Sequence, residues 1–126
     1  MTQSIAIIGA SRDRRKYGNK AVRAFKAGGW TVYPINLAGG EIEGLRALRA
    51  VTDLPGPVTR ISLYVPPETG LSLLEAIAAT PHEELYLNPG AESPELLEKA
   101  RSLGLKPIQA CSIVNIGLRP EMFADA

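Results

Sequence analysis

The residues best suited to chemistry in this chain are Gly9, Ala10 and Ser11. They close the apolar run Ser4-Ile5-Ala6-Ile7-Ile8 and stand before seven basic residues, Arg12, Arg14, Arg15, Lys16, Lys20, Arg23 and Lys26. A short apolar run that stops on glycine predicts a buried parallel strand, and glycine lets the backbone turn sharply beneath a phosphate. Backbone N–H groups near Gly9 to Ser11 and at the start of the following helix suit a diphosphate, with the Ser11 hydroxyl as a further donor. The spacing departs from the dinucleotide fingerprint, because its second glycine position holds Ser11 and its third holds Arg14.

The basic cluster holds half of the 14 Lys and Arg residues, with Asp13 the only acid among them, although the whole chain carries a net charge of only +1. A locally cationic first βα unit attracts phosphate, or is simply a solvated face. Nucleic acid is a poor match, since the rest of the chain is acidic and aromatics are 6% of residues. Strand 2 speaks against NAD. Its end reads Tyr33-Pro34-Ile35-Asn36, with no carboxylate for the ribose hydroxyls. The better match is a nucleotide with an additional phosphate; an NAD(P)-binding oxidoreductase or redox sensor is the alternative.

Strands and helices alternate to position these residues. After Ser4 to Ile8, strands are expected at Trp30 to Tyr33, Arg60 to Val65, Glu84 to Leu87 and Lys106 to Ala110. Helices are expected from Asn19 to Ala27, from Pro67 with Leu71, Leu74 and Ala78 on one face, and from Pro94 behind an N-cap at Ser93. Leu45, Leu48 and Val51 predict about two helical turns in the glycine- and proline-punctuated stretch between Ala38 and Val58. This pattern predicts an α/β fold: a single Rossmann-like, doubly wound, parallel five-stranded sheet of order 3-2-1-4-5, with helices on both faces. Ligands then bind beyond the carboxyl ends of the strands. Four loops lie there: Gly9-Ala10-Ser11-Arg12, Pro34-Ile35-Asn36, Pro66-Pro67-Glu68 and Asn88-Pro89-Gly90.

At 126 residues, with 45% hydrophobic and 21% charged, the chain is expected to be one compact cytoplasmic domain. Its apolar runs are shorter than the roughly 20 residues of a membrane helix. One cysteine, Cys111, forms no intrachain disulfide, and with the single histidine, His82, it leaves too few soft ligands for structural zinc. Cys111 reads as a small core thiol, or as a thiol at the ligand edge of the sheet. His82 reads as a surface-loop residue at the edge opposite the crevice, so no Ser-His or Cys-His catalytic pairing is expected.

Gly9-Ala10-Ser11, Lys16-Tyr17-Gly18-Asn19, Val32-Tyr33-Pro34-Ile35-Asn36, Asp53-Leu54-Pro55-Gly56-Pro57, Leu63-Tyr64-Val65-Pro66-Pro67 and Cys111-Ser112-Ile113-Val114 together carry a family resemblance. Across almost its whole length the chain resembles the small bacterial and archaeal CoA-binding proteins of the YccU-like type. These are similar to the CoA-binding domain of the succinyl-CoA synthetase alpha subunit. The resemblance implies coenzyme A or an acyl-CoA as ligand, bound noncovalently and without catalysis, since the ligase's phosphorylated histidine comes from outside this domain. It implies that Gly9, Ala10 and Ser11 contact the diphosphate, that Arg12, Lys16 and Tyr17, beside Gly18, meet the phosphate-bearing nucleotide, and that Asn36 and Pro66-Pro67 flank the adenosine or pantetheine. On this reading valine at Gly9 is expected to abolish binding in a still folded protein. Ala38-Gly39-Gly40 departs from the family's proline-containing turn.

Overall fold

The computed structural model describes residues 2–124. Five parallel strands form the main sheet: β1 (Ser4–Ile8), β2 (Thr31–Ile35), β5 (Val58–Leu63), β6 (His82–Leu87) and β7 (Pro107–Gln109). Between β2 and β5 lies a small antiparallel hairpin, β3 (Glu41–Ile42) with β4 (Leu45–Arg46). The helices are α1 (Tyr17–Ala27), α2 (Pro67–Ala78), α3 (Pro94–Ser102) and the short α4 (Ser112–Asn115).

β1 is apolar on both sides because both faces of the sheet are covered. Ile5 and Ile7 pack with Val22 and Phe25 of α1 and Ile113 of α4, whereas Ala6 and Ile8 belong to the opposite core with Leu74 of α2 and Leu96 of α3. Helices on both faces are therefore as expected. Local signals place the helix starts: Pro67 opens α2, and the Ser93 hydroxyl caps α3 by accepting from the Leu96 N–H at 3.1 Å.

The strand order is not the expected one. In the count used above it runs 2-1-3-4-5, because the third strand, β5, pairs with β1 (Ile5 opposite Arg60, Ile8 opposite Leu63) instead of lying outside β2. The reason lies in the irregular stretch. Leu48 forms a parallel bridge with Ile35, receiving the Asn36 N–H at 2.8 Å and donating to the Pro34 carbonyl at 2.9 Å, so the outer edge of β2 is already taken. Nor do Leu45, Leu48 and Val51 form a helix. Glu43 and Gly44 sit at φ +49° and +80°, which closes a hairpin at Leu45–Arg46, and only Val51–Asp53 makes a 3-10 turn.

The main chain winds from β1 through α1 on one face and from β5 through α2 on the other. The loops leaving β1 and β5 therefore diverge, and a crevice opens between their carboxyl ends.

Candidate functional site

The crevice has a volume of about 530 Å³ and gathers most of the expected site residues. Gly9, Ala10, Ser11, Lys16, Tyr17 and Gly18 form one wall, Asn36 closes one end, and Pro66, Pro89 and Gly90 line the far side. Tyr64, Val65 and Ala91 line it too. None of these three is among the expected site residues, although Val65 and Ala91 adjoin the expected Pro66 and Gly90.

The first wall is built to present N–H groups. Lys16 at the N-cap of α1 gives no side-chain cap, and the first turn of the helix carries no acid. Among the described residues, the N–H groups of Ala10, Ser11, Tyr17 and Gly18 meet no protein acceptor. The Ser11 hydroxyl accepts from the Asp13 N–H at 3.0 Å and keeps its own proton to donate. Together these donors could hold an anion at the helix N-terminus.

Two glycines let the wall come this close. Gly9 has φ +92°, and a Cβ there would lie 2.5 Å from the Tyr64 carbonyl oxygen; a Cβ on Gly18 would lie 2.1 Å from the Gly9 carbonyl oxygen. The expectation that valine at Gly9 leaves a folded protein is therefore corrected, because the side chain would strike the backbone of the neighbouring strand end.

The basic cluster is largely occupied within the fold. Arg12 donates to the Gly39 carbonyl, Arg14 pairs with Glu43 at 2.8 Å, Arg15 pairs with Asp13 at 2.9 Å, and Lys26 donates to the Glu43 carbonyl at 2.7 Å. Arg23 bonds Asn19 and the Phe123 carbonyl. Lys20 stacks over the exposed Tyr17 ring at 5.3 Å. Lys16 alone lines the crevice as a cation, with no ion pair among the described residues. Hydrogen bonds from the Arg15 side chain and backbone hold the Asp13 carboxyl at about 2. Glu43 is also lowered, first by the hydrogen bond from Asn19; burial, next in size, opposes this, and the charges of Arg14 and Arg23 add to the lowering.

Four expected site residues lie outside the crevice lining: Arg12, held by the Gly39 carbonyl, and Pro34, Pro67 and Asn88. Pro34 is paired within β2, and Pro67 begins α2 behind Pro66. Asn88 is buried: its Nδ2 donates to Ser62 Oγ at 2.7 Å and to the Leu63 carbonyl at 2.9 Å, while its Oδ1 accepts from the Ser112 N–H at 2.8 Å. Asn36 reaches the crevice but also ties loops together, donating to the Ala10 carbonyl at 2.9 Å and accepting from the Ala38 N–H at 2.8 Å.

Below this layer Arg60 is buried against Tyr86, 4.0 Å from the ring centre, and is satisfied by Glu84, Ser112 and Asn115. Among the described residues the Tyr64 hydroxyl is buried with no hydrogen-bond partner. Burial, with Cys111 nearby, pushes its ionisation well above the usual phenol range; Ser62 and Arg60 offset part of this, and the Ser62 hydroxyl stops short of hydrogen-bonding geometry. Cys111 is half-buried at the N-terminus of α4, packed against the α1 core. His82, expected in a surface loop, instead begins β6 and pairs with Val58 at the amino edge of the sheet, opposite the crevice as expected, with Nδ1 2.6 Å from the Thr80 carbonyl. Among the described residues no His, Cys, Asp and Glu group could hold a metal ion, and no helix is long and apolar enough to cross a membrane.

A second, more apolar groove of about 410 Å³ adjoins the crevice at Gly9, Asn36 and Val65. Leu37, Val51 and Leu73 contribute its aliphatic walls. No local sequence pattern signals it, because its walls come from the irregular stretch and from α2. The two cavities together suit a flat apolar group joined to an anion.

The family model described as a CoA binding domain matches residues 3–117. The alpha subunit of an ADP-forming acetate–CoA ligase II of Pyrococcus furiosus is 37% identical over 65 residues, which is 51% of this chain and 14% of that subunit. A conserved hypothetical protein from Pyrococcus furiosus superposes with a TM-score of 0.82 at 34% identity, covering 90% of this chain and 98% of that one. A dinucleotide-forming acetyl-coenzyme A synthetase 1 of Ca. Korarchaeum cryptofilum, solved with phosphate and ADP, gives a TM-score of 0.70 at 25% identity over 86% of this chain and 25% of that one.

Proposed function

The chain belongs to the CoA binding domain family, and on that premise we propose that it binds coenzyme A or an acyl-CoA noncovalently in the crevice and performs no chemistry of its own. The observation that carries this reading is the set of free N–H groups at Ala10, Ser11, Tyr17 and Gly18 beside the unpartnered Lys16. Such a set fits a diphosphate, which takes several donors at once and shares the charge of the lysine. The adjoining groove takes the adenine ring against Leu37, Val51 and Leu73. The pantetheine arm follows the crevice past Pro66 and Pro89-Gly90.

An NAD-type ligand fits less well. The strand 2 position that should offer a carboxylate to the ribose is Asn36, and its side chain is engaged with Ala10 and Ala38. Mass spectrometry of gently purified protein tests the proposal. Copurified CoA or acyl-CoA is expected; copurified NAD(P), or failure to bind added CoA in calorimetry, would overturn it.

A further inference from the structure

We propose that Arg49 is the residue that distinguishes coenzyme A from its form lacking the 3′-phosphate, an inference that rests on the coenzyme A reading above. The apolar groove and the anion crevice meet at Gly9 and Asn36, which line both. A base in the groove and a diphosphate on the Gly9 loop must be joined through the ribose, so the ribose lies at that junction. Its 3′ substituent then faces the turn that follows Asn36, and Arg49 is the only charged residue lining the groove there.

The state of Arg49 supports this role. Its guanidinium lies over Gly39, where a Cβ would come within 3.2 Å of Nε, and Nη1 donates to the Leu37 carbonyl in a long bond of 3.3 Å. No carboxylate pairs with it among the described residues, and the side chain is exposed. A guanidinium carries five N–H donors in a fork that matches phosphate, and here only one is engaged. Arg12, which the resemblance offered for the nucleotide phosphate, is instead committed to the Gly39 carbonyl. That bond helps to fix the turn on which Arg49 rests. Lys16 lies on the diphosphate side of the crevice, away from the groove lining.

Calorimetry with coenzyme A and dephospho-coenzyme A on the wild type and on Arg49→Ala, Arg49→Lys and Lys16→Ala decides the matter. The wild type is expected to prefer coenzyme A by roughly tenfold, the scale of one solvent-exposed charge-assisted contact. Arg49→Ala should abolish that preference while leaving dephospho-coenzyme A affinity within about twofold of wild type. Arg49→Lys should keep part of the preference, and Lys16→Ala should weaken both ligands alike. The inference fails if Arg49→Ala keeps the preference, or if it weakens both ligands equally, which would make Arg49 a prop for the loop. A wild type that binds neither ligand overturns the coenzyme A reading itself, and this inference with it.

Discussion

Gly18 approaches Gly9 so closely that a Cβ on Gly18 would stand 2.1 Å from the Gly9 carbonyl oxygen. The helix can pack against the end of β1 only with hydrogen at that position, which is the part played by the third glycine of a dinucleotide fingerprint. The loop here is longer, so the requirement falls on Gly18 and Arg14 is free to pair with Glu43. Gly18→Ala is expected to cost about 2 kcal/mol or more, seen as a fall in Tm of roughly 5–10 °C. An unchanged Tm would show that α1 can slide away from the loop at little cost.

Lys16 and Arg14 stand close in sequence but differ in what holds them. Lys16→Ala should weaken coenzyme A binding by about 1 to 2 kcal/mol, with a reduced dependence on salt, as for one charge-assisted contact. Arg14→Ala, which removes a cation already paired with Glu43, should leave the affinity within about twofold. Equal losses in a titration series at two salt concentrations would mean that the whole basic patch, and not the crevice, attracts the ligand.

Asn88 is a test of position against role. Its three hydrogen bonds join β5, β6 and α4, so Asn88→Ala leaves the buried Ser112 N–H without an acceptor and is expected to destabilise the protein by about 2 to 4 kcal/mol. Urea unfolding measures this. A variant of wild-type stability with lost coenzyme A binding would return Asn88 to the ligand site.

Glu43 makes stability depend on pH. Its folded pKa is lowered by Asn19 and the arginines, so the contribution is present above the ordinary carboxylate value of 4.5 and is lost as pH falls through the lower folded value. Glu43→Gln should therefore cost about 0.5 to 1 kcal/mol at pH 6 and progressively less toward pH 3. Thermal melts of both proteins across this range would contradict the assignment if their difference stayed constant or grew in acid.

The alternation of β and α units, the two covered faces of the sheet, and a turn of glycine and small residues at the head of β1 were all legible from residue order. They depend on local periodicity and on single residues with special backbone freedom, such as Gly9 at φ +92°. The same holds for Pro67 and Ser93 at the helix starts. The carboxyl-end location of the crevice then follows from a parallel, doubly wound sheet, whichever of the two common strand orders is adopted.

What only the tertiary structure decided is which of several equivalent partners each group takes. Leu48 occupies the outer edge of β2 and so sends β5 to β1, a competition for one strand edge that is settled only when the segments meet in the fold. Of the seven basic residues expected around the first loop, most find carbonyls or carboxylates in the 39–43 hairpin region or elsewhere in the fold, and Lys16 remains for the crevice. Asn88 turns inward and Arg49 lies over Gly39 for the same reason. Charge and polarity are properties of a residue and are visible in its name, but whether they are already satisfied depends on neighbours that only the folded chain supplies.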